Sequence, residues 1–391
     1  MKIFHCVESY YPAVGGMQEV VKQLSERLVK LGHDVTVLTR YNADRAFNEF
    51  NGVKIKTFNI VGNPRSIENE NDKEYVDFLL NTPCDIITFF AAQQWATNLA
   101  LPILKNIKAK KVSVPTGYSG LYWPEFKSYF EDMKTWIHDY DMNVYLSNDY
   151  RDINYAKENK VKHTILIPNG AAEDEFLPKT TINVRQELNI PQNHFLILLV
   201  GSYTGWKGHR EAIELFLKSN IKNATLLMIG NNYEYFKRQY IKHPILALLS
   251  FINKLTGSKK IIFNFLPRNL TVACYKQADL FLFPSNIECS PIVLFECAAA
   301  QLPFLSSDAG NSIEIAKWTK GGEIMPTIKD ENGFSHVIIN EGVKMLNELY
   351  VNKAKRKKMA EDAFAIWKEK YSWEVITKEY EKLYLTLLNN N

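Results

Sequence analysis

A chain of 391 residues, 46% hydrophobic and 23% charged, is long enough for two globular domains and too mixed in composition for a fibrous or disordered protein. A formal charge of +4 over that length is too small to mark a nucleic-acid surface, so no nucleic-acid partner is expected. Five cysteines, Cys6, Cys84, Cys274, Cys289 and Cys297, form no C-x-x-C pair and read as reduced thiols of a cytoplasmic protein.

Residues 2–7 predict a first strand, too short for a secretory signal and ended by Glu8. No stretch approaches the ~18 apolar residues of a membrane span. A loop over 8–16 closes on Gly15-Gly16. Met17, Val20, Val21, Leu24, Leu28 and Leu31 then recur at helical spacing, Gly32 ends that helix, and 35–39 predict the next strand. This is the opening of a βαβ unit with glycines at a helix start, although a full G-x-G-x-x-G is absent. Further strands are expected at 53–60, 85–90, 111–114, 142–146 and 164–168. Helices at 72–80, 97–106 and 149–159, and a long one after 124, alternate with them. The loop 115–124 is rich in glycine and aromatic residues: Thr116, Gly117, Tyr118, Gly120, Tyr122 and Trp123. Such alternation argues a mostly parallel, doubly wound sheet covered on both faces.

Asn169-Gly170 and the acidic, proline-containing run to Pro178 mark a domain boundary. A second series follows: strand 195–201, loop 202–206, a helix opened by Lys207-Gly208 and running to 219, strand 224–230, helical sequence, strand 261–265, helix 270–277 and strand 279–283. Two similar α/β halves are therefore expected, 1–170 and 180–370. The segment 240–260 reads either as an amphipathic helix on an anionic membrane, a peripheral contact, or as a helix packed on its own domain, the second being preferred. The basic run 353–358 predicts a solvated helix face, and 371–387 a packed amphipathic helix.

The most informative stretch is Glu288-Cys-Ser-Pro-Ile-Val-Leu-Phe-Glu296, which leaves the strand at 279–283 through a polar loop and enters an Ala-rich helix from Pro291 to Gln301. Proline suits a first helical position, where its missing N–H has no partner to lose. A helix start offers free N–H groups and the positive end of the dipole, an anion site. Glu288 lies before that start and Glu296 one and a half turns beyond Pro291, so a phosphate held there has one carboxylate on either side. A nucleotide-sugar, with sugar, diphosphate and ribose in line, has this layout, and carboxylates accept hydrogen bonds from hydroxyls.

With the strand before it and the loop to Gly310 after it, this stretch resembles the E-x7-E signature of retaining glycosyltransferases, most closely family 4. Gly201-Ser-Tyr-Thr-Gly-Trp-Lys207-Gly208 resembles the second motif of that family, a Gly-x5-Lys-Gly loop. The resemblance implies the GT-B fold, two facing Rossmann-like domains with the active site in the cleft between them. It implies an acceptor domain at 1–170, completed by a C-terminal helix at 372–391, and a donor domain at 180–370. Glu288 is then expected to orient the donor sugar and Glu296 the ribose. Lys207, with amides of Ser290, Ile292 and Val293, is expected to hold the diphosphate, with Gly201 and Ser202 in the same loop. Gly15 and Gly16 let the first domain's backbone approach it. Thr116 and Tyr118 are expected beside the sugar and acceptor. The implied reaction moves a sugar from a nucleoside diphosphate donor, UDP above all, to a hydroxyl of a glycan or lipid-linked acceptor in cell-surface polysaccharide synthesis, with no cofactor and no metal.

Two departures stand out. Ser202 occupies a position where the family usually has arginine, leaving Lys207 alone or Arg210 or Arg268 in its place. No histidine occurs in 115–120, where many relatives have one beside the sugar; His138 and His163 are expected at the surface or a strand edge. Front-face attack with retention needs no separate base, since the leaving phosphate takes the acceptor proton. Other readings are a non-catalytic partner of the same fold, a nucleotide-sugar epimerase, whose acid/base carboxylates and histidines are not seen, and a nicotinamide dehydrogenase, opposed by the missing glycine fingerprint. Asp139-Tyr-Asp141 looks like a D-x-D metal motif but falls where a helix meets a strand, and it is rejected.

Overall fold

The computed structural model describes residues 1–231 and 258–389. It divides into two compact units, Met1–Asn169 with Trp373–Asn391, and Gly170–Ser372. The sequence reading of 240–260 falls almost entirely outside the described residues.

In the first unit, strands β1 (Lys2–Cys6), β2 (Asp34–Arg40), β3 (Glu49–Phe50), β4 (Val53–Phe58), β5 (Ile86–Phe90), β6 (Lys110–Val114), β7 (Met142–Tyr145) and β8 (Thr164–Leu166) form one sheet ordered β3-β4-β2-β1-β5-β6-β7-β8. All pairings are parallel except the short β3–β4 hairpin at the edge. Every residue of β5, Ile-Ile-Thr-Phe-Phe, is buried, as a strand covered on both faces requires. The helix Gly16–Lys30 turns Val20, Val21, Leu24 and Leu28 inward. The helix Trp373–Asn389 closes the unit: Glu374 bonds Arg27 at 2.7 Å, Glu381 bonds His33 at 2.8 Å, and the Tyr384 hydroxyl shares a 2.8 Å hydrogen bond with Thr88 on β5.

The second unit has a sheet of six described strands, β9 (Phe195–Val200), β10 (Ala224–Ile229), β11 (Lys259–Asn264), β12 (Leu280–Phe283), β13 (Phe304–Ser306) and β14 (Gly322–Ile324). They are ordered β11-β10-β9-β12-β13-β14 and parallel throughout. A two-stranded antiparallel ribbon, β15 (Thr327–Lys329) and β16 (Ser335–Val337), follows. The order is that of a Rossmann sheet, and β4-β2-β1-β5-β6-β7 repeats it in the first unit. Apolar runs such as Leu-Phe-Leu-Phe at β12 and Ala-Thr-Leu-Leu-Met-Ile at β10 are buried at every residue.

Several boundaries differ from the sequence reading. The two units divide between Asn169 and Gly170, within the boundary region expected; beyond it Glu173–Phe176 is a helical turn and Phe176 enters the second core, so the acidic run belongs to the second unit. The helix expected at 97–106 is Trp95–Asn98 followed by a 3-10 segment Leu101–Asn106, because Pro102 withholds the N–H that a continuous α-helix needs. The helix after 124 is only Lys127–Trp136. The basic run lies in the helix Lys353–Ile366 and is exposed at Lys353, Lys357 and Lys358, as a solvated face is, while Lys355 bonds Glu323 and Glu348 at 2.5 and 2.7 Å and Arg356 caps the carbonyls of Leu349 and Tyr350. Among the described residues no helix is long and apolar enough to cross a membrane.

Candidate active site

β9 and β12 lie side by side, and the chain leaves them in opposite directions across the sheet. Doubly wound sheets bind ligands at this reversal, beyond the carboxyl ends of the strands. The loop 201–208 leaves β9 and the loop 284–291 leaves β12, so the two motifs singled out in the sequence meet there. The loops are stitched together: the Asn286 N–H donates to the Trp206 carbonyl at 2.8 Å, and the Ser285 hydroxyl oxygen lies 3.2 Å from the same carbonyl. Gly208 makes the close approach possible. Its φ is +67°, and a Cβ there would lie 1.9 Å from the Pro284 carbonyl oxygen.

Lys207 Nζ lies 2.7 Å from Glu288 Oε1, and the Ser285 hydroxyl donates to the same oxygen at 2.8 Å. Glu288 is nearly enclosed, its side chain 10% exposed, whereas Lys207 is 29% exposed. The stem of Lys207 runs past Gly201, where a Cβ would touch it at an ordinary contact distance of 3.4 Å. Behind it His209 is buried, with Nε2 3.2 Å from the Gly201 carbonyl. Burial pushes its pKa down to about 3, and Lys207 adds to the effect, so the ring is neutral and carries its hydrogen on Nε2 toward that carbonyl.

The helix after the loop is Ile292–Ala299, with Pro291 at its N-cap rather than at its first helical position; Pro291 has an extended backbone, ψ 109°, outside the helix. The Leu294 N–H bonds the Pro291 carbonyl at 3.2 Å. The amides of Ile292 and Val293 come before any carbonyl the helix can offer them. Ser290 is buried beside them. Gly310, with φ +61°, backs the loop so closely that a Cβ would meet the Cys289 carbonyl oxygen at 2.4 Å, and Asn311 N–H bonds that same oxygen at 2.9 Å.

Glu296 is 3% exposed, on the inward side of this helix. Burial raises its pKa, and Arg268 beside it pulls the other way. Arg268 Nη2 donates to Glu296 Oε1 at 2.6 Å, and the same guanidinium holds Glu175 through Nη2 at 2.6 Å and Nε at 3.1 Å. Arg268 is thus committed to two carboxylates, and Arg210 is exposed. Two acid–base pairs therefore bracket one helix start, Lys207–Glu288 before it and Arg268–Glu296 within it.

Ser202 is half-buried in the first loop, where its carbonyl accepts from the Thr204 N–H at 2.7 Å. In the first unit, Gly15 is the N-cap of Gly16–Lys30 with an extended backbone, and its carbonyl accepts from Glu19 N–H at 3.0 Å. A Cβ on Gly16 would meet nothing within 4 Å. Thr116 is half-buried, with φ 56°. Tyr118, expected beside the sugar and acceptor, is turned inward: its ring is 3% exposed and packs edge-on against Phe130 and Tyr155, which lie too far along the chain for the loop sequence to reveal them. His138 and His163 are exposed. Asp141 accepts from the Lys111 amide at 2.8 Å and pairs with its Nζ at 3.1 Å, and Asp139 faces Lys105 at 3.7 Å.

Sequence reasoning missed Ser285, Asn286 and Glu175. The first two follow a buried strand directly, a position where polar residues carry sites in this topology. Glu175 is far from Glu296 in sequence, and nothing local signals it.

A model described as "Glycosyl transferases group 1" matches residues 181–363, and one described as "Glycosyltransferase Family 4" matches 14–175. An uncharacterized glycosyltransferase of Methanocaldococcus jannaschii is 27% identical over 98% of this chain and 98% of its own. Alpha-monoglucosyldiacylglycerol synthase of Acholeplasma laidlawii is 24% identical over 100% of this chain and 98% of its own. Among solved structures, sucrose-phosphate synthase from Thermosynechococcus elongatus superposes with a TM-score of 0.78 at 18% identity, covering both chains completely. Anabaena HepE, solved with UDP and glucose, superposes with a TM-score of 0.75 at 14% identity, over 99% of this chain and 100% of its own.

Proposed function

We propose that this chain, which belongs to the glycosyltransferases of GT-B fold, moves a sugar from a nucleoside diphosphate-sugar to a hydroxyl of a glycan or lipid-linked acceptor, with retention at the anomeric carbon. The observation that carries the reading is the pair of carboxylates, each with its own cation, on either side of the start of Ile292–Ala299.

Without donor, Lys207 and Glu288 satisfy each other. A diphosphate at the helix start competes for the ammonium, and the exchange costs little because Lys207 is partly solvated. Glu288 is then released to accept from sugar hydroxyls, held in aim by Ser285. Negative charge that develops on the leaving phosphate meets Lys207 and the Ile292 and Val293 amides. The same phosphate oxygen takes the acceptor proton, so no separate base is needed. Glu296, pinned by Arg268, accepts from the ribose. The lysine at the loop is the chief cation of the site, since Ser202 brings none and Arg268 is held by two carboxylates.

UDP is the nucleotide proposed first, a choice supported by HepE having been solved with UDP and glucose. A membrane-associated acceptor on the cytoplasmic side fits the lipid product named for the Acholeplasma relative. No cofactor or metal is invoked in any step. The test is a panel of UDP-, ADP- and GDP-sugars, with released nucleotide measured and the product's anomeric configuration read by NMR. One donor is turned over by the wild type and not by Glu288→Ala, and the product keeps the donor's configuration. Inversion would remove the front-face mechanism; no turnover of any donor would remove the enzyme reading.

A further inference from the structure

The ribbon β15–β16 has three residues a side, and a two-stranded hairpin of that length is too small to hold itself in water. Its order comes from what it touches. It touches the candidate active-site loops at two points.

The first point is Asn286, which is buried and lies two residues before Glu288. The Ser335 N–H donates to the Asn286 carbonyl at 2.8 Å, and Asn286 Nδ2 donates back to the Ser335 carbonyl at 2.9 Å. Asn286 Nδ2 also donates to Glu211 Oε1 at 3.0 Å, in the first turn of the helix His209–Lys218. The Asn286 N–H bonds the carbonyl of Trp206, the residue before Lys207. One residue thus joins the loop that carries Lys207, the loop that carries Glu288, the helix behind them and the ribbon. A buried amide bonded to several segments has few positions that satisfy them all.

The ribbon's end of this contact is fixed in turn. Ser335 is buried, its hydroxyl donates to Asp308 Oδ1 at 2.5 Å, and Lys329 on the other strand lies 3.6 Å from the same carboxylate. One residue earlier, the Ser307 hydroxyl donates to the Ser285 carbonyl at 2.5 Å. The segment leaving β13 therefore holds the ribbon and the Glu288 loop together.

The second point is aromatic. The Phe334 and Trp206 rings lie 5.8 Å apart at 47°. Asp330 shapes the turn that presents Phe334, accepting from the Asn332 and Phe334 amides at 2.9 Å each. The ribbon thus bears on both loops, on one through a buried polar pair and on the other through a ring.

We propose that the ribbon is a clamp on the two loops, and that Asn286 is the positioning residue through which it sets the aim of Glu288 and Lys207. The clamp stands on the geometry alone; its effect on turnover rests on the glycosyl-transfer reading. Asn286 acts through its neighbours, so its loss costs aim rather than donor binding, and a misplacement of about 1 Å can cost about 10²-fold in rate.

Two measurements on the full chain test this. Hydrogen exchange needs no donor: Asn286→Ala is expected to speed exchange of peptides over 284–291 and 204–208 and to leave those of β10 unchanged. Exchange that stays as in wild type over 284–291 overturns the clamp, whether or not any donor is turned over. In nucleotide release, Asn286→Ala is expected to lower kcat about 10–100-fold while donor KM moves less than about threefold, because Glu296 and the helix-start amides remain. A kcat equal to wild type, or a loss confined to KM, overturns the positioning role. Phe334→Ala, at the half-exposed contact, is the second variant should Asn286→Ala not fold; the same two effects are expected at smaller size, and their absence counts equally against the clamp. Thermal melts establish that each variant is folded at the assay temperature. A wild type that turns over no donor, with the loops still loosened by Asn286→Ala, removes the glycosyl-transfer reading and leaves the clamp.

Discussion

The two sheets share a strand order, yet what stands at the reversal differs. In the second unit the loops after β9 and β12 bring charged side chains together, Lys207 with Glu288 and Arg268 with Glu296. In the first unit the loops after β1 and β5 are held by side chains that grip backbone. Arg45 donates to the carbonyls of Tyr10 and Tyr11 at 2.8 and 2.7 Å, and Trp95 to that of Glu8 at 3.3 Å. Ala91 and Gln93 are left-handed there, as Thr116 and Tyr118 are after β6. Topology settles where a ligand meets each sheet; the loop residues settle what kind of ligand it is. On the proposed reading, one unit exchanges charge with an anion and the other holds a shaped surface still.

If that contrast is right, removing charge from the second unit hits chemistry hardest. Lys207→Ala is expected to lower kcat by about 10²–10³-fold, the usual cost of one donor to a developing oxyanion. Nucleotide release under saturating donor is the measurement. A loss confined to KM would mean that Lys207 only binds the donor, and would erase the distinction between the units.

The first unit's buried charge acts on stability instead. Asp152 is 1% exposed, and burial raises its pKa to about 6, against the opposing pull of the Ile153 and Gly117 amides. Between about pH 4 and 6 the folded chain holds a proton that the unfolded chain has released. Stability therefore falls as pH rises through that window, and this contribution is gone by neutral pH. The displacement from 3.8 to about 6 corresponds to ~3 kcal/mol at most. Asp152→Asn, which cannot ionise, removes this part of the pH dependence. Urea unfolding at pH 4.5 and pH 7.5 reads it as a smaller gap between the two pH values than in wild type.

Glu296→Gln keeps the shape and removes the charge that Arg268 faces. A charged hydrogen bond to a hydroxyl is worth roughly 1.5–3 kcal/mol, so donor KM is expected to rise about 10–100-fold with a smaller change in kcat. Arg268 retains Glu175, which limits the structural damage. An unchanged donor KM would take Glu296 out of the ribose assignment.

How much of this was legible depends on how local each signal is. Buried runs such as Leu-Phe-Leu-Phe at β12 announce a covered strand, because both faces must be apolar. Glu288, Glu296, Lys207 and Gly208 lie in contiguous motifs, and the structure brings both motifs to one sheet reversal. Arg268 surfaced only as one of two substitute cations, and its grip on Glu175 had no local trace, since the bond joins a helical turn before the sheet to a helix beyond β11. Tyr118 misled for the same reason: a loop tyrosine looks exposed until its partners, Phe130 and Tyr155, are folded against it. The hairpin strand β3 and the strands β13–β16 are two or three residues long, too short for a periodic pattern.

The smallest effect is the most discriminating, because it separates the two helix-start glycines. Gly208 is glycine by necessity, with φ +67° and the Pro284 carbonyl against its Cα. Gly16 opens a helix with open space where a side chain would stand. Judged by fold alone, Gly16→Ala stabilises the chain by ~0.4–1 kcal/mol, through the lower entropy of the unfolded state. A glycine kept for close approach of backbone to a ligand makes a second demand: donor turnover must fall while the melting temperature rises. A variant that is both more stable and fully active would show Gly16 to be an ordinary helix start, and would leave the charged loops of the second unit as the sole anion-handling part of the described structure.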